Sequence, residues 1–189
     1  MSNISVKIIG IAGAFGSGKS TAADYLETRG YTKISLSKFL EDALLYSGEK
    51  EITRKKLQDL GNTWREKHGA GVLAVRAIEY IKDKKIEKVV VEGFRNIKEV
   101  EEFRGFGNFK LIGLFVNRDV RYNRLKNLKR REKLTPELFE KLDYRDMGIG
   151  EKEAGLQVAV CVAISDIFIE NNESEKELFQ KIEKIEKGL

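Results

Sequence analysis

The chain has 189 residues, 41% of them hydrophobic, which suits one domain with a buried core; no apolar run approaches the roughly 18 residues of a membrane span. A lone cysteine, Cys161, excludes an internal disulfide, and a lone histidine, His68, excludes a histidine-built metal centre. The net charge of +5 is local, because Arg118 to Lys133 alone carries +6, so a general basic coat for nucleic acid is excluded.

Met1 to Ser5 has neither the basic nor the apolar region of a signal peptide, and with the unpaired cysteine this points to a cytosolic protein. Val6 to Ala12 is a short apolar run suited to a buried parallel strand. It leads into Gly13-Ala14-Phe15-Gly16-Ser17-Gly18-Lys19-Ser20, the spacing of a phosphate-binding loop, and then into a helical stretch from Thr21 to Arg29 stopped by Gly30. Gly13, Gly16 and Gly18 leave room for backbone N–H groups to close on phosphate oxygens. The Lys19 ammonium reaches terminal phosphates, and the Ser20 hydroxyl suits Mg²⁺.

Tyr31 to Leu36 reads as a second strand, after which Ser37 caps a helix from Lys38 to Tyr46 ended by Gly48. Thr53 caps another from Arg54 to Lys67, and Val72 to Lys82 has helical spacing. Lys88 to Val91 is a strand running into Glu92-Gly93, Asn96 to Arg104 a short helix, and Phe109 to Val116 the fourth strand. The basic segment then carries Arg118, Arg121 and Arg124 at helical spacing. Thr135-Pro136 opens a helix through Leu138 to Tyr144, and Glu151 to Ile164 reads as one more. Asp166 to Glu170 is the last strand and Ser174 to Lys187 the closing helix. Five strands alternating with helices predict an α/β protein whose ligands collect at the carboxyl ends of parallel strands.

Two strand ends carry the remaining chemistry. Glu92 ends the third strand where a phosphate-loop enzyme places its magnesium-facing carboxylate, and Arg95 follows as a second phosphate ligand. The fourth strand feeds the arginine cluster, which suits a lid that brings positive charge to a transferring phosphoryl group and excludes water. Arg54, Arg65 and Arg76 lie between the second and third strands as candidates for an acceptor's phosphate. A nucleic-acid reading of the basic segment is weak, since Tyr122 is its only aromatic residue.

The loop through Thr21, the strand end Glu92-Gly93-Phe94-Arg95 and the stretch from Arg121 to Leu125 resemble the nucleoside monophosphate kinase superfamily. With Leu60 to Gly69, Leu73 to Arg76, Tyr144-Arg145-Asp146 and Ser165 to Asn171, the chain is similar, more narrowly, to the dephospho-CoA kinase-related and deaminase-associated P-loop kinase group. The resemblance implies one kinase domain over residues 1–189 with a three-layer α/β/α P-loop NTPase fold and a five-stranded parallel sheet in order 2-3-1-4-5. It also implies a helical acceptor insert at about 37–83 and a lid at about 118–148.

ATP with Mg²⁺ is the implied donor. Gly13, Gly16, Ser17, Gly18, Lys19, Ser20 and Thr21 would surround its phosphates, and Asn171 would lie near the adenine. Ser20 and Glu92 would hold the metal, Ser37, Arg54, Arg65 and Arg95 the acceptor, and Lys19, Arg124, Arg130 and Arg131 would stabilise the charge in transfer. Where the group carries an acid and then an arginine after the second strand, this chain has Lys38 and Glu41. Ser35 and Ser37 stand in place of the aspartate base of dephospho-CoA kinases, and Glu92 replaces the usual aspartate. A monophosphate acceptor needs no strong base, which favours a (deoxy)nucleoside monophosphate over dephospho-CoA. A nucleotide-binding or NTPase module partnered with a deaminase is the alternative.

Overall fold

A computed structural model describes residues 6–128 and 132–189. The chain alternates between strand and helix: β1 (Lys7–Gly13), α1 (Lys19–Thr28), β2 (Thr32–Ser35), α2 (Leu36–Tyr46), α3 (Arg54–His68), α4 (Val72–Asp83) and β3 (Lys88–Glu92). It continues with α5 (Ile97–Phe106), β4 (Asn108–Phe115), α6 (Arg118–Leu125), α7 (Pro136–Met147), α8 (Val158–Ala163), β5 (Ile167–Glu170) and α9 (Glu175–Gly188).

The strands form a parallel sheet in the order β2-β3-β1-β4-β5, as the resemblance implied. Side chains alternate across it, so successive residues feed two cores. Ile8, Val89, Val91, Phe109 and Leu111 face α2, α3, α4, α5 and α8, with Phe94, Phe103 and Phe109 packed ring against ring. Ile9, Ile11, Val90, Ile112, Leu114 and Ile169 face α1 and α9 through Ala22, Ala23, Leu26, Leu178 and Ile182. Both faces of the sheet are therefore covered by helices, which is why its strands read as apolar runs. Among the described residues no helix is long and apolar enough to cross a membrane.

The helix starts follow the sequence signals closely. Thr53 and Thr135 accept backbone N–H bonds from Lys56 and Leu138, and Asn96 forms a reciprocal capping box with Glu99. Each such cap stabilises its helix by about 1 kcal/mol.

Two expectations need correction. The second strand stops at Ser35, and α2 begins at once with the fully buried Leu36, so Ser37 lies inside the helix and caps nothing. The helix expected over Glu151 to Ile164 shrinks to Val158–Ala163. Its first half is held as a loop because Asn96 Nδ2 captures the carbonyls of Glu153 and Gly155 at 3.0 and 2.9 Å. Glu151 meanwhile receives Asn62 and Arg145. Tertiary side-chain bonds outcompete a weak local helix preference there.

Candidate active site

The phosphate loop is shaped by two left-handed glycines. Gly16 and Gly18 have φ of +82° and +88°, and a Cβ at Gly18 would lie 2.7 Å from Asn171 Nδ2. Only glycine fits such a conformation without strain. Asn171, buried just after β5, donates from Nδ2 to Ser17 O at 3.0 Å and so braces the loop from the sheet.

α1 starts at Lys19 with no side-chain cap and no acid in its first turn. Its uncapped N–H groups and positive helix end are open to an anion. Ser17 Oγ is buried without a hydrogen-bond partner. Lys19 Nζ is held by the loop's own carbonyl, donating to Ala14 O at 2.9 Å. Burial, and then the Arg95 charge, lower the Lys19 ammonium to about 7, while Glu92 and Asp146 pull the other way. A buried ammonium, an orphaned hydroxyl and a free helix end together fit a phosphate group.

The loop opens on a cleft of about 780 Å³ at the carboxyl ends of the strands. Glu92, the last residue of β3, lies in register between Ile11 of β1 and Ser35 of β2 and borders the cleft with Ser20. Among the described residues no group of three or more His, Cys, Asp or Glu could hold a metal alone. An ion there would need Ser20, Glu92 and oxygens from a ligand or water.

Beyond Glu92 the cleft wall carries two arginines, Arg54 and Arg95. Asp146, fully buried on α7, accepts Arg95 Nη1 at 2.9 Å and Gln58 Nε2 at 2.8 Å, with Arg54 Nη1 at 4.0 Å. Burial pushes the Asp146 carboxyl up, but the Arg95 and Arg54 charges and the Gln58 amide outweigh it and hold the group below its ordinary value. Arg54 also lies flat on Phe15, its guanidinium carbon 3.6 Å from the ring centroid. Both arginines border the main cleft and a smaller extension of about 50 Å³, which Ser37 shares. The Ser37 hydroxyl is 3.1 Å from that of Ser35. The Glu132 carboxylate accepts the Arg54 backbone N–H at 3.1 Å, so arginines and carboxylates stand side by side at this wall.

The structure thus gathers Gly16, Gly18, Lys19, Ser20, Thr21, Ser37, Arg54, Glu92, Arg95, Arg124 and Asn171 on one cleft. It does not bring Arg65 to it. Arg65 is 1% exposed, donates from Nε to Glu99 Oε1 at 3.0 Å and borders only the small extension. Arg76 stacks over Trp64. Arg124 donates to the carbonyls of Asn171 and Glu173 at 2.9 and 3.0 Å, tying α6 to the segment after β5. Asn171 lines the cleft while its side-chain amide braces the loop. Arg130 and Arg131 lie outside the described residues. Two arginines of the basic segment share one carboxylate: Arg121 makes a two-pronged pair with Asp143, at 2.5 and 2.9 Å, and Arg118 approaches it at 3.5 Å.

Sequence reasoning missed Asp146, Gln58 and Glu99. Glu99 binds the backbone N–H groups of Arg95 and Asn96 with one oxygen and Arg65 with the other. Tyr144-Arg145-Asp146 stood out as a family segment, but nothing local tied its aspartate to Arg95, 51 positions away.

A phosphate loop opening on a cleft at the carboxyl edge of a parallel sheet ordered 2-3-1-4-5 defines the fold of the P-loop kinases. The chain belongs to the family AAA_18, described as an AAA domain, which matches residues 9–147, and to the UPF0200 proteins. It is 32% identical to a UPF0200 protein of Sulfurisphaera tokodaii, over 97% of this chain and 98% of that one. A second, from Methanothermobacter thermautotrophicus, is 30% identical over 87% and 80%. In fold it is similar to a shikimate kinase from Bacteroides thetaiotaomicron, with a TM-score of 0.60 at 15% identity over 96% of this chain and 98% of the other. A gluconokinase from Sinorhizobium meliloti gives 0.53 at 16% identity over 95% and 90%.

Proposed function

We propose that the protein is an ATP-dependent kinase that passes the γ-phosphoryl group to a small anionic acceptor, foremost a (deoxy)nucleoside monophosphate. The observation that carries this reading is the continuity of one cleft from the phosphate loop to Arg54 and Arg95. A nucleotide-only module has no need of an anion-receptive wall beyond the terminal phosphate. The fold neighbours bearing the names shikimate kinase and gluconokinase support the reaction class without specifying the acceptor.

In this reading the loop N–H groups and Lys19 hold the donor's phosphates, and Arg95 and Arg54 orient the acceptor's anionic group. Magnesium, held by Ser20 and, through water, by Glu92, would neutralise charge on the donor's phosphate oxygens. Arg124 closes one side of the cleft, and Arg65 serves the frame rather than the acceptor. Ser35 ends β2 and Ser37 stands in the first turn of α2, neither of them a general base at neutral pH. A monophosphate brings its own charged oxygen as nucleophile, which is why it ranks above alcohol acceptors such as dephospho-CoA.

The test is incubation with MgATP and a panel of ribo- and deoxynucleoside monophosphates, dephospho-CoA and hydroxy acids, following the γ-phosphate. Transfer to one class, lost in Lys19→Ala, is the expected result. ATP hydrolysis with every acceptor unlabelled would instead favour the nucleotide-hydrolysing module.

A further inference from the structure

Phe15 is the only aromatic residue of the phosphate loop, and it is half-buried, with the Arg54 guanidinium 3.6 Å from its ring centroid. Its ring also meets Phe139 of α7, centroid to centroid at 6.1 Å. The backbone on either side is held by cations. Arg121 Nη1 donates to Phe15 O at 3.0 Å, and Lys19 Nζ donates to the preceding carbonyl, Ala14 O, at 2.9 Å. The peptide that joins Ala14 to Phe15 therefore connects the phosphate-loop lysine to the platform under an acceptor-side arginine.

We propose that Phe15 is a positioning residue that couples the two halves of the cleft, so that filling the phosphate loop resets the ring on which Arg54 rests. The proposal rests on the reading that a nucleotide's phosphates fill this loop. A phosphate oxygen is a stronger partner for the Lys19 ammonium than a neutral carbonyl is, so an incoming anion competes with Ala14 O for it. The Ala14–Phe15 peptide then loses its cationic restraint and keeps only the Ser17 N–H on Ala14 O at 3.1 Å, while Arg121 still holds the next peptide through Phe15 O. The ring shifts, and the guanidinium stacked on it shifts too. By linkage, whatever factor the filled loop applies to acceptor affinity, the acceptor applies to nucleotide affinity.

The experiment follows the Arg54 side-chain Nε–H resonance and the Gly16 and Gly18 amides by NMR in wild type, Phe15→Leu and Phe15→Tyr. Each is titrated with magnesium and the β,γ-imido analogue of ATP. In wild type and Phe15→Tyr the Arg54 signal is expected to carry a ring-current shift and to move with the glycine amides. In Phe15→Leu the amides still move, and the Arg54 signal loses both the ring-current shift and the response. Amides that respond in wild type beside a still Arg54 signal, or an Arg54 response equal in Phe15→Leu, overturn the coupling alone. Silent amides in a folded wild type overturn the nucleotide reading and the coupling with it. With the acceptor in hand, Phe15→Leu should raise its KM by about three- to thirtyfold, with a smaller change in kcat and with rescue in Phe15→Tyr.

Discussion

Asp146 Oδ2 accepts Arg95 Nη1 at 2.9 Å, a buried ion pair that fastens α7 to the segment just beyond β3. The carboxylate is fully buried, and Arg54 and the Gln58 amide share it. Asparagine at this position keeps the volume but removes the buried negative charge that Arg95 and Arg54 share. Asp146→Asn should therefore destabilise the protein by about 3 kcal/mol, lowering Tm by about 6–12 °C, and raise the acceptor KM more than it lowers kcat. Calorimetry and steady-state kinetics check both.

The same pair sets an acid-side dependence. The folded Asp146 carboxyl titrates below its ordinary value of 3.8, so its contribution is complete above that value and is lost as pH falls through the lower folded one. The stability gap between wild type and Asp146→Asn should be flat above about pH 5 and close in more acid solution. A gap that widens below pH 4 would contradict the assignment (roughly one unit below the plateau).

Lys19 gives a slope of the same sign in a second, alkaline window. Unfolded, the lysine keeps its proton up to about 10.5; folded and buried beside Arg95, it releases it at about 7. Between those values the unfolded chain binds more protons, so stability rises with pH. Urea denaturation of wild type and Lys19→Met across this window isolates the effect, because the other titrating groups cancel in the difference. The stability of wild type relative to the variant should climb with pH; a level difference would show that the lysine keeps its charge in the folded loop.

How far this site was legible in the sequence depended on the distance over which each signal acts. The phosphate loop, the Thr53 and Thr135 caps and the apolar strands are local patterns, and each folds as its neighbours dictate. Glu92 and Arg95 could be placed because a buried strand must deliver its end to the carboxyl edge of the sheet. Arg65 could not be told from Arg95 by type or spacing. One meets Glu99 and the other Asp146, partners 34 and 51 positions away. The lid reading of the basic cluster failed to foresee Arg121 for the same reason, since Asp143 claims it from another helix.

Arg65 and Arg95 should accordingly separate in their effects. Arg65→Ala leaves the buried Glu99 without its counter-ion and is expected to cost about 3–5 kcal/mol of stability, with acceptor KM little changed in the folded protein. Arg95→Ala should raise acceptor KM at least about tenfold, as loss of a charge-assisted contact worth 1.5–3 kcal/mol implies. Thermal melts paired with kinetics at a temperature where both variants are folded make the comparison.

Gly18→Ala tests the loop geometry. At φ +88° an alanine is strained by about 1–2 kcal/mol, and its methyl would press on Asn171 Nδ2. Nucleotide affinity, measured by calorimetric titration, should fall at least about tenfold while the far-ultraviolet circular dichroism of the fold is kept. Unaltered affinity would mean that the loop closes on phosphate in some other backbone conformation.

The most direct test of the account is the stoichiometry of one reaction, read by ³¹P NMR: protein, MgATP and an equimolar set of nucleoside monophosphates. The cleft joining Lys19 to Arg54 and Arg95 predicts one diphosphorylated acceptor formed for each ADP, with little free phosphate and no reaction in Lys19→Ala. ADP matched by inorganic phosphate alone, with every monophosphate unchanged, would contradict it.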